Sequence, residues 1–248
     1  MTPSAQRQDG FTLVELMVAL LIGLFLMGGL ITLMQNNKRA FSSQALLSQL
    51  QDNERLAMTM MTDVIQQSGY FPNPTLNTAS TAFAAVTPFA AGQSLFGVTT
   101  SGNDSIEVRY TTATGDGVLN CSGGSNTSGA NQMYTNIFSI VTNATTGVSQ
   151  LVCTLNGTQF PLVNGVTQMT ALYGVNTSGS GGNVDTYMTA AQVPNWNNVV
   201  SVQVTLVFAN PLVNTGVAGA ASTPGQSTAG QPATFSIQRN ISIMNQVQ

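Results

Sequence analysis

The chain has 248 residues, of which 6% are charged; nine acids stand against six Lys and Arg, and there is no histidine. A net charge of −3 gives no electrostatic footprint for nucleic acid, and the missing imidazole removes Ser-His-Asp and Cys-His catalysis and histidine metal sites. A surface so poor in charge and so rich in Asn, Thr, Ser and Gly suggests an extracytoplasmic, β-rich protein.

Residues 1–10, MTPSAQRQDG, are short, polar and proline-containing, a leader and not a domain. Next comes GFTLVELMVALLIGLFLMGGLITLM, in which Leu16 to Met34 is nineteen residues without a charge. As a helix rising ~1.5 Å per residue it crosses the roughly 30 Å hydrocarbon layer of a bilayer. It is too long for the apolar core of a signal peptide, and QNNKRAF follows it where small residues for cleavage would stand. Glu15 lies inside the apolar block. Either it is an intramembrane acid with a partner, or it sits near enough to the helix start to meet headgroups and the positive end of the dipole.

Gly10, Phe11, the acid at Glu15 and the long apolar helix together resemble the type III signal of type IV pilins and type II secretion pseudopilins. The resemblance implies cleavage after Gly10 by a prepilin peptidase, N-methylation of the new Phe11 amine, and assembly of segment 11–34 into a filament core. It also implies that Glu15 pairs with the Phe11 amine of a neighbouring subunit. A buried amine and a buried carboxylate each need a partner, and breaking such a pair costs ~3 to 5 kcal/mol. The amine could equally fold onto Glu15 of its own chain, one helical turn away. Lys38 and Arg39 follow the span while Arg7 precedes it, so the positive-inside bias favours a cytoplasmic carboxyl end. The resemblance implies the reverse, a periplasmic one.

Residues 35–69 continue as an amphipathic helix. Leu46, Leu50, Ala57, Met61 and Val64 form a stripe that Leu47, Met60 and Ile65 widen, while Gln49, Asp52, Asn53, Arg55, Asp63 and Gln66 fill the other face. Ser68-Gly69 supplies a left-handed stop, and Pro72 and Pro74 prevent resumption. Gly23 and Gly28-Gly29 either loosen the rod or let helices pack closely.

From about Thr75 the signals become those of strands. Ile106, Val108 and Tyr110 alternate with Glu107 and Arg109, the pattern of a half-buried strand. Met169, Ala171, Tyr173 and Val175 alternate likewise, as do Val200, Val202, Val204, Leu206 and Phe208. A last strand aligns Phe235, Ile237, Ile241 and Ile243 but puts Arg239 on the same face, so a bulge or a rim position is required. NCSGGSNTSGAN, GVNTSGSGGN and the run from Asn214 to Pro232 read as flexible loops. Asn126, Asn156 and Asn176 head Asn-x-Ser/Thr triplets that this composition produces by chance. Two cysteines in an oxidising compartment argue for a Cys121–Cys153 disulfide, worth ~3 to 4 kcal/mol in the chain-entropy model.

The head carries a closer resemblance. SGNDSIEVRY, Cys121, LVC at Cys153, PLVNGVTQMTALYGVNTSGSGGNVDTY, WNNVVSVQVTLVF and QRNISI follow the block order of the PilW minor pilin family, and NERLAM with QQSGY is similar to it too. FPNP after Tyr70 replaces a cysteine that members often carry. The 176–185 loop keeps Asp185 where members often have several aspartates, so a plain hairpin loop is expected there in preference to a calcium site. Asp104 and Glu107 flank a strand and read as surface charges, not as an acid–base pair.

The expected protein is thus α+β, a long N-terminal helix packed on an antiparallel β-sheet head in residues 70–248, with no cofactor, no metal and no catalysis. The resemblance implies a minor pilin that primes type IV pilus assembly from the inner membrane and ends at or near the pilus tip. Implied partners are PilV-, PilX- and FimU-like minor pilins, the major pilin, a PilY-type tip adhesin, the prepilin peptidase and the assembly platform. The alternatives are a J-type minor pseudopilin of type II secretion and an adhesive or DNA-uptake pilin.

Overall fold

The computed structural model describes residues 12–100, 103–178, 182–213 and 232–244. They fall into two units, one ending at Ala45 and the other beginning at Leu46. Helix α1, Leu13–Gln66, contributes to both. It runs without a break through Gly23, Gly28 and Gly29, and no atom lies near the place of a Cβ on any of them. Among the described residues nothing therefore requires those glycines. The helix ends as its sequence dictates: the Gln67 and Ser68 N–H groups turn to the carbonyls of Val64 and Ile65, and Gly69 adopts φ +78°.

In the second unit α1 buries Leu50, Ala57, Met58, Met61, Val64 and Ile65. Leu46, Leu47 and Met60 are half-buried, and Met58 joins the stripe because the sheets wrap further round the helix than its central row. A short α2, Ala79–Ala82, precedes five strands in sequence order: β1 Leu95–Val98, β2 Ser105–Thr112, β3 Gln132–Thr142, β4 Ser149–Leu155 and β5 Thr158–Asn164. A second sheet holds β6 Val166–Val175, β7 Thr186–Met188, β8 Val199–Ala209 and β9 Thr234–Ser242 in the order β7-β6-β8-β9. Every pairing is antiparallel, so the α+β class stands.

Gly165 alone separates β5 from β6, and there the chain leaves one sheet for the other. Its φ of +85° is a left-handed conformation that a Cβ opposes. Its N–H donates to the Ser149 carbonyl and its own carbonyl accepts from Ala209, so the corner is fixed to both sheets. The inner rows of β2, β6 and β8 meet the helix in one core, with Tyr110, Phe138, Tyr173, Leu206 and Phe208 fully enclosed.

Three polar residues depart from, or decide between, the expectations. Asp104 is no surface charge: it is 7% exposed, its N–H donates to the Met169 carbonyl, and its Oδ2 accepts the Ala171 N–H at 2.9 Å. Short β7 pairs only with Tyr173 to Val175, so the rest of that β6 edge has open donors which Asp104 meets. Arg109, expected on the wet face of β2, is 1% exposed. The segment before β1 folds over that face, and the guanidinium donates to the carbonyls of Gln93 at 2.5 Å, Ala84 at 2.8 Å and Ala90 at 3.0 Å. It also lies over the rings of Phe89 and Phe83, 4.5 and 5.5 Å from their centroids. Arg239 stays on the inward side of β9 with no register shift, but β9 is an edge strand, and the exposed side chain reaches the Thr62 hydroxyl of α1.

The Gly/Ser-rich loop between β2 and β3 is not the flexible tether its composition suggests. Asn126 is fully buried and its amide donates to the carbonyls of Thr112 and Ala130. Asn120 Oδ1 accepts from the N–H groups of Ser122 and Gly124, and the Tyr110 hydroxyl donates to the Leu119 carbonyl. Local Asn turns supply the order that apolar side chains would otherwise give. Burial also removes Asn126 and Asn176 as surface acceptors for a glycan, whereas Asn156 is exposed in a turn at φ +47°. Residues 214–231, the longest of the expected loops, lie outside the described residues.

Candidate functional site

Among the described residues nothing packs on α1 between Leu13 and Met34. From Leu13 to Met34 the large apolar side chains are 50 to 77% exposed, a state that water does not tolerate over such a length. The segment is long and apolar enough to cross a membrane. Thr12 starts it: the Glu15 N–H donates to Thr12 Oγ1 at 3.4 Å and the Leu16 N–H to the Thr12 carbonyl. Thr12-x-x-Glu15 is the spacing of a capping box, a start signal missed in the sequence reading. Glu15 is therefore an exposed carboxylate in the first turn, where the helix dipole favours it. Gly10 and Phe11, the expected processing residues, lie outside the described residues.

The second unit holds the cysteines. Cys121 and Cys153 form a disulfide with their Cα atoms 6.3 Å apart, tying the β2–β3 loop to β4. The Cys121 N–H donates to Asn136 Oδ1 at 3.0 Å, so a buried amide on β3 sets the loop beside the bridge. Asp185 closes the β6–β7 connection: its Oδ2 accepts from the N–H and hydroxyl of Thr177 and the N–H of Ser178. These donors, the Thr177 hydroxyl first, hold its carboxyl below the usual range, and they leave that oxygen committed to its own loop. Among the described residues no three His, Cys, Asp or Glu side chains gather as metal ligands.

Residues 137–242 match the family model described as type IV pilus-assembly protein W, and residues 5–31 match the prokaryotic N-terminal methylation motif. Over residues 137–242 the chain is thus similar to the PilW family, and over residues 5–31 to N-methylated pilins. No curated protein and no solved structure matches it. The PilW match covers β3 from its middle through β9, and so includes Cys153, Gly165 and the β6–β8 pair at the centre of the second sheet. The methylation motif covers Glu15 and most of the bare helix. Domains of this kind are structural and not catalytic, they assemble with other pilus components, and the motif with its apolar helix fits a membrane-anchored pilin.

Proposed function

We propose that the chain is cut between Gly10 and Phe11, N-methylated at Phe11, held in the inner membrane by residues 11–34, and transferred from there into a bundle of like helices that primes a type IV pilus. The observation that carries this reading is the bare helix with one carboxylate in its first turn, lying within a methylation motif. Lipid satisfies such a surface before assembly, and neighbouring helices satisfy it afterwards. The glycines at 23, 28 and 29, beside which no described residue would meet a Cβ, allow those neighbours to approach closely.

In the bundle Glu15 pairs with the Phe11 amine of an adjacent subunit, which fixes the register between helices. Its retention favours a position with another subunit above it. The periplasmic head then stands near the tip, beside PilV-, PilX- and FimU-like minor pilins, and joins the filament to a PilY-type tip adhesin. Intact-mass analysis of protein extracted from membranes tests the first step. The mass of a methylated chain beginning at Phe11 is expected; a chain that keeps residues 1–10 overturns the proposal.

A further inference from the structure

The second unit carries a cavity of about 860 Å³, the size of a small-molecule site, where the chain leaves α1 at Gly69. Segment 69–80, the turn at 91–92 and Asn197 form its wall. That wall is held by the protein's own contacts: Phe71 packs edge-on against Phe83 with ring centroids 5.9 Å apart, and the Gly92 N–H donates to the Phe83 carbonyl at 2.8 Å. Asn73 turns the chain at φ +58°, and its carbonyl accepts the N–H groups of Leu76 and Asn77. A site fixed in this way needs little ordering to receive a ligand. Among the described residues no charged side chain lines it. Asp116, whose charge acts on the Tyr70 hydroxyl, gives its two oxygens to the N–H groups of Ala113 and Val118. Asn73 and Asn197 are exposed at the rim, and the side-chain amide of neither is hydrogen-bonded within the protein. The Thr78 and Ser80 hydroxyls, 3.0 Å apart, are exposed there too.

We infer that this cavity binds a neutral saccharide. Each sugar hydroxyl both donates and accepts hydrogen bonds, and an amide or a hydroxyl on the protein answers it with both kinds of group and no net charge. The C–H faces of the ring meet the apolar surfaces of Tyr70, Pro72 and Pro74. An acidic sugar would find no cation on this wall. An extended peptide fits it less well, because such a ligand is held largely through main-chain hydrogen bonds. The N–H groups of Tyr70, Asn77, Thr78 and Gly92 are already spent inside the protein, and Pro72 and Pro74 have none to offer. The site belongs to the head, so it stands or falls apart from the processing of residues 1–10.

Full-length protein in lauryldimethylamine oxide, a detergent without a sugar headgroup, applied to a printed array of neutral oligosaccharides, sialylated and sulfated glycans and proline-containing peptides, tests this. Retention on one or more neutral oligosaccharides is expected. Asn73→Gly/Asn197→Ala removes both unbonded amides while the glycine keeps the left-handed turn, so binding is expected to fall about tenfold or more with the melting of the head unchanged. Where that melting does fall, Asn197→Ala alone carries the comparison. Gln159→Ala, which removes an exposed amide on β5, is expected to leave binding as it is. Retention of no neutral oligosaccharide, retention confined to the sialylated or sulfated glycans, or unchanged binding in Asn73→Gly/Asn197→Ala overturns the assignment. Retention of peptides that is lost in the same variant gives the cavity to a peptide partner and overturns the saccharide.

Discussion

Arg109 shows how one side chain organises a segment that has little regular structure. Residues 84–93 pass over the outer side of β2, and the guanidinium donates to three of their carbonyls between two phenylalanine rings. Burial lowers its pKa, yet an arginine keeps its charge throughout the working range. Arg109→Met keeps the volume and removes the donors, and it is expected to cost about 3 kcal/mol, read as a fall in the melting temperature of the head. Glu107, on the same side of the strand, has its carboxyl pushed up by burial. An acid whose folded pKa is raised favours folding when protonated, so its penalty appears as pH rises through that pKa. Glu107→Gln is therefore expected to melt no lower than the parent at pH 7, with any gain shrinking as the pH falls toward 4; a gain that grows on acidification refutes the assignment.

At the scale of elements, the two connections that set the head are a single glycine and a disulfide. Gly165 turns the chain from one sheet to the other at φ +85° while bonded to both. Gly165→Ala is expected to destabilise by about 1 kcal/mol or more, measured by chemical unfolding. The Cys121–Cys153 bridge, closing a separation of 32 residues, restrains the loop that Asn120 and Asn126 also shape. Replacing both cysteines by serine is expected to cost ~3 kcal/mol, and amide exchange is expected to rise first between residues 113 and 131. The strands named from the sequence, β2, β6, β8 and β9, are those whose buried rows are unbroken apolar alternation or nearly so. Strand β3 was not legible in that way because Asn136 interrupts its inner row between Tyr134 and Phe138.

For the whole molecule, the proposed function gives the two units separate tasks, and substitutions should separate them. Glu15 takes no part in the head core, so Glu15→Ala is expected to leave the melting of the head unchanged. The same substitution is expected to reduce recovery of the chain in sheared pili and in complexes with other minor pilins by about tenfold or more, on the scale of a lost buried ion pair. Unchanged recovery removes the pairing role while leaving the membrane anchor intact.

The apolar run after Phe11, its acid, its charge-free length and the glycine that stops the helix are local facts, and they alone determined a membrane-competent helix, its amphipathic continuation and a β-rich head. Period and composition report such properties because each depends on neighbours within a turn or along one strand. What only the tertiary structure decided was the fate of polar groups whose partners are distant in the chain. Asp104 meets an open edge of β6, Arg109 is enclosed by carbonyls that precede β1, and Asn126 and Asn136 anchor a loop that composition alone marks as slack. A buried polar side chain is stable only where a complementary group has been brought to it, and that meeting is made by the fold.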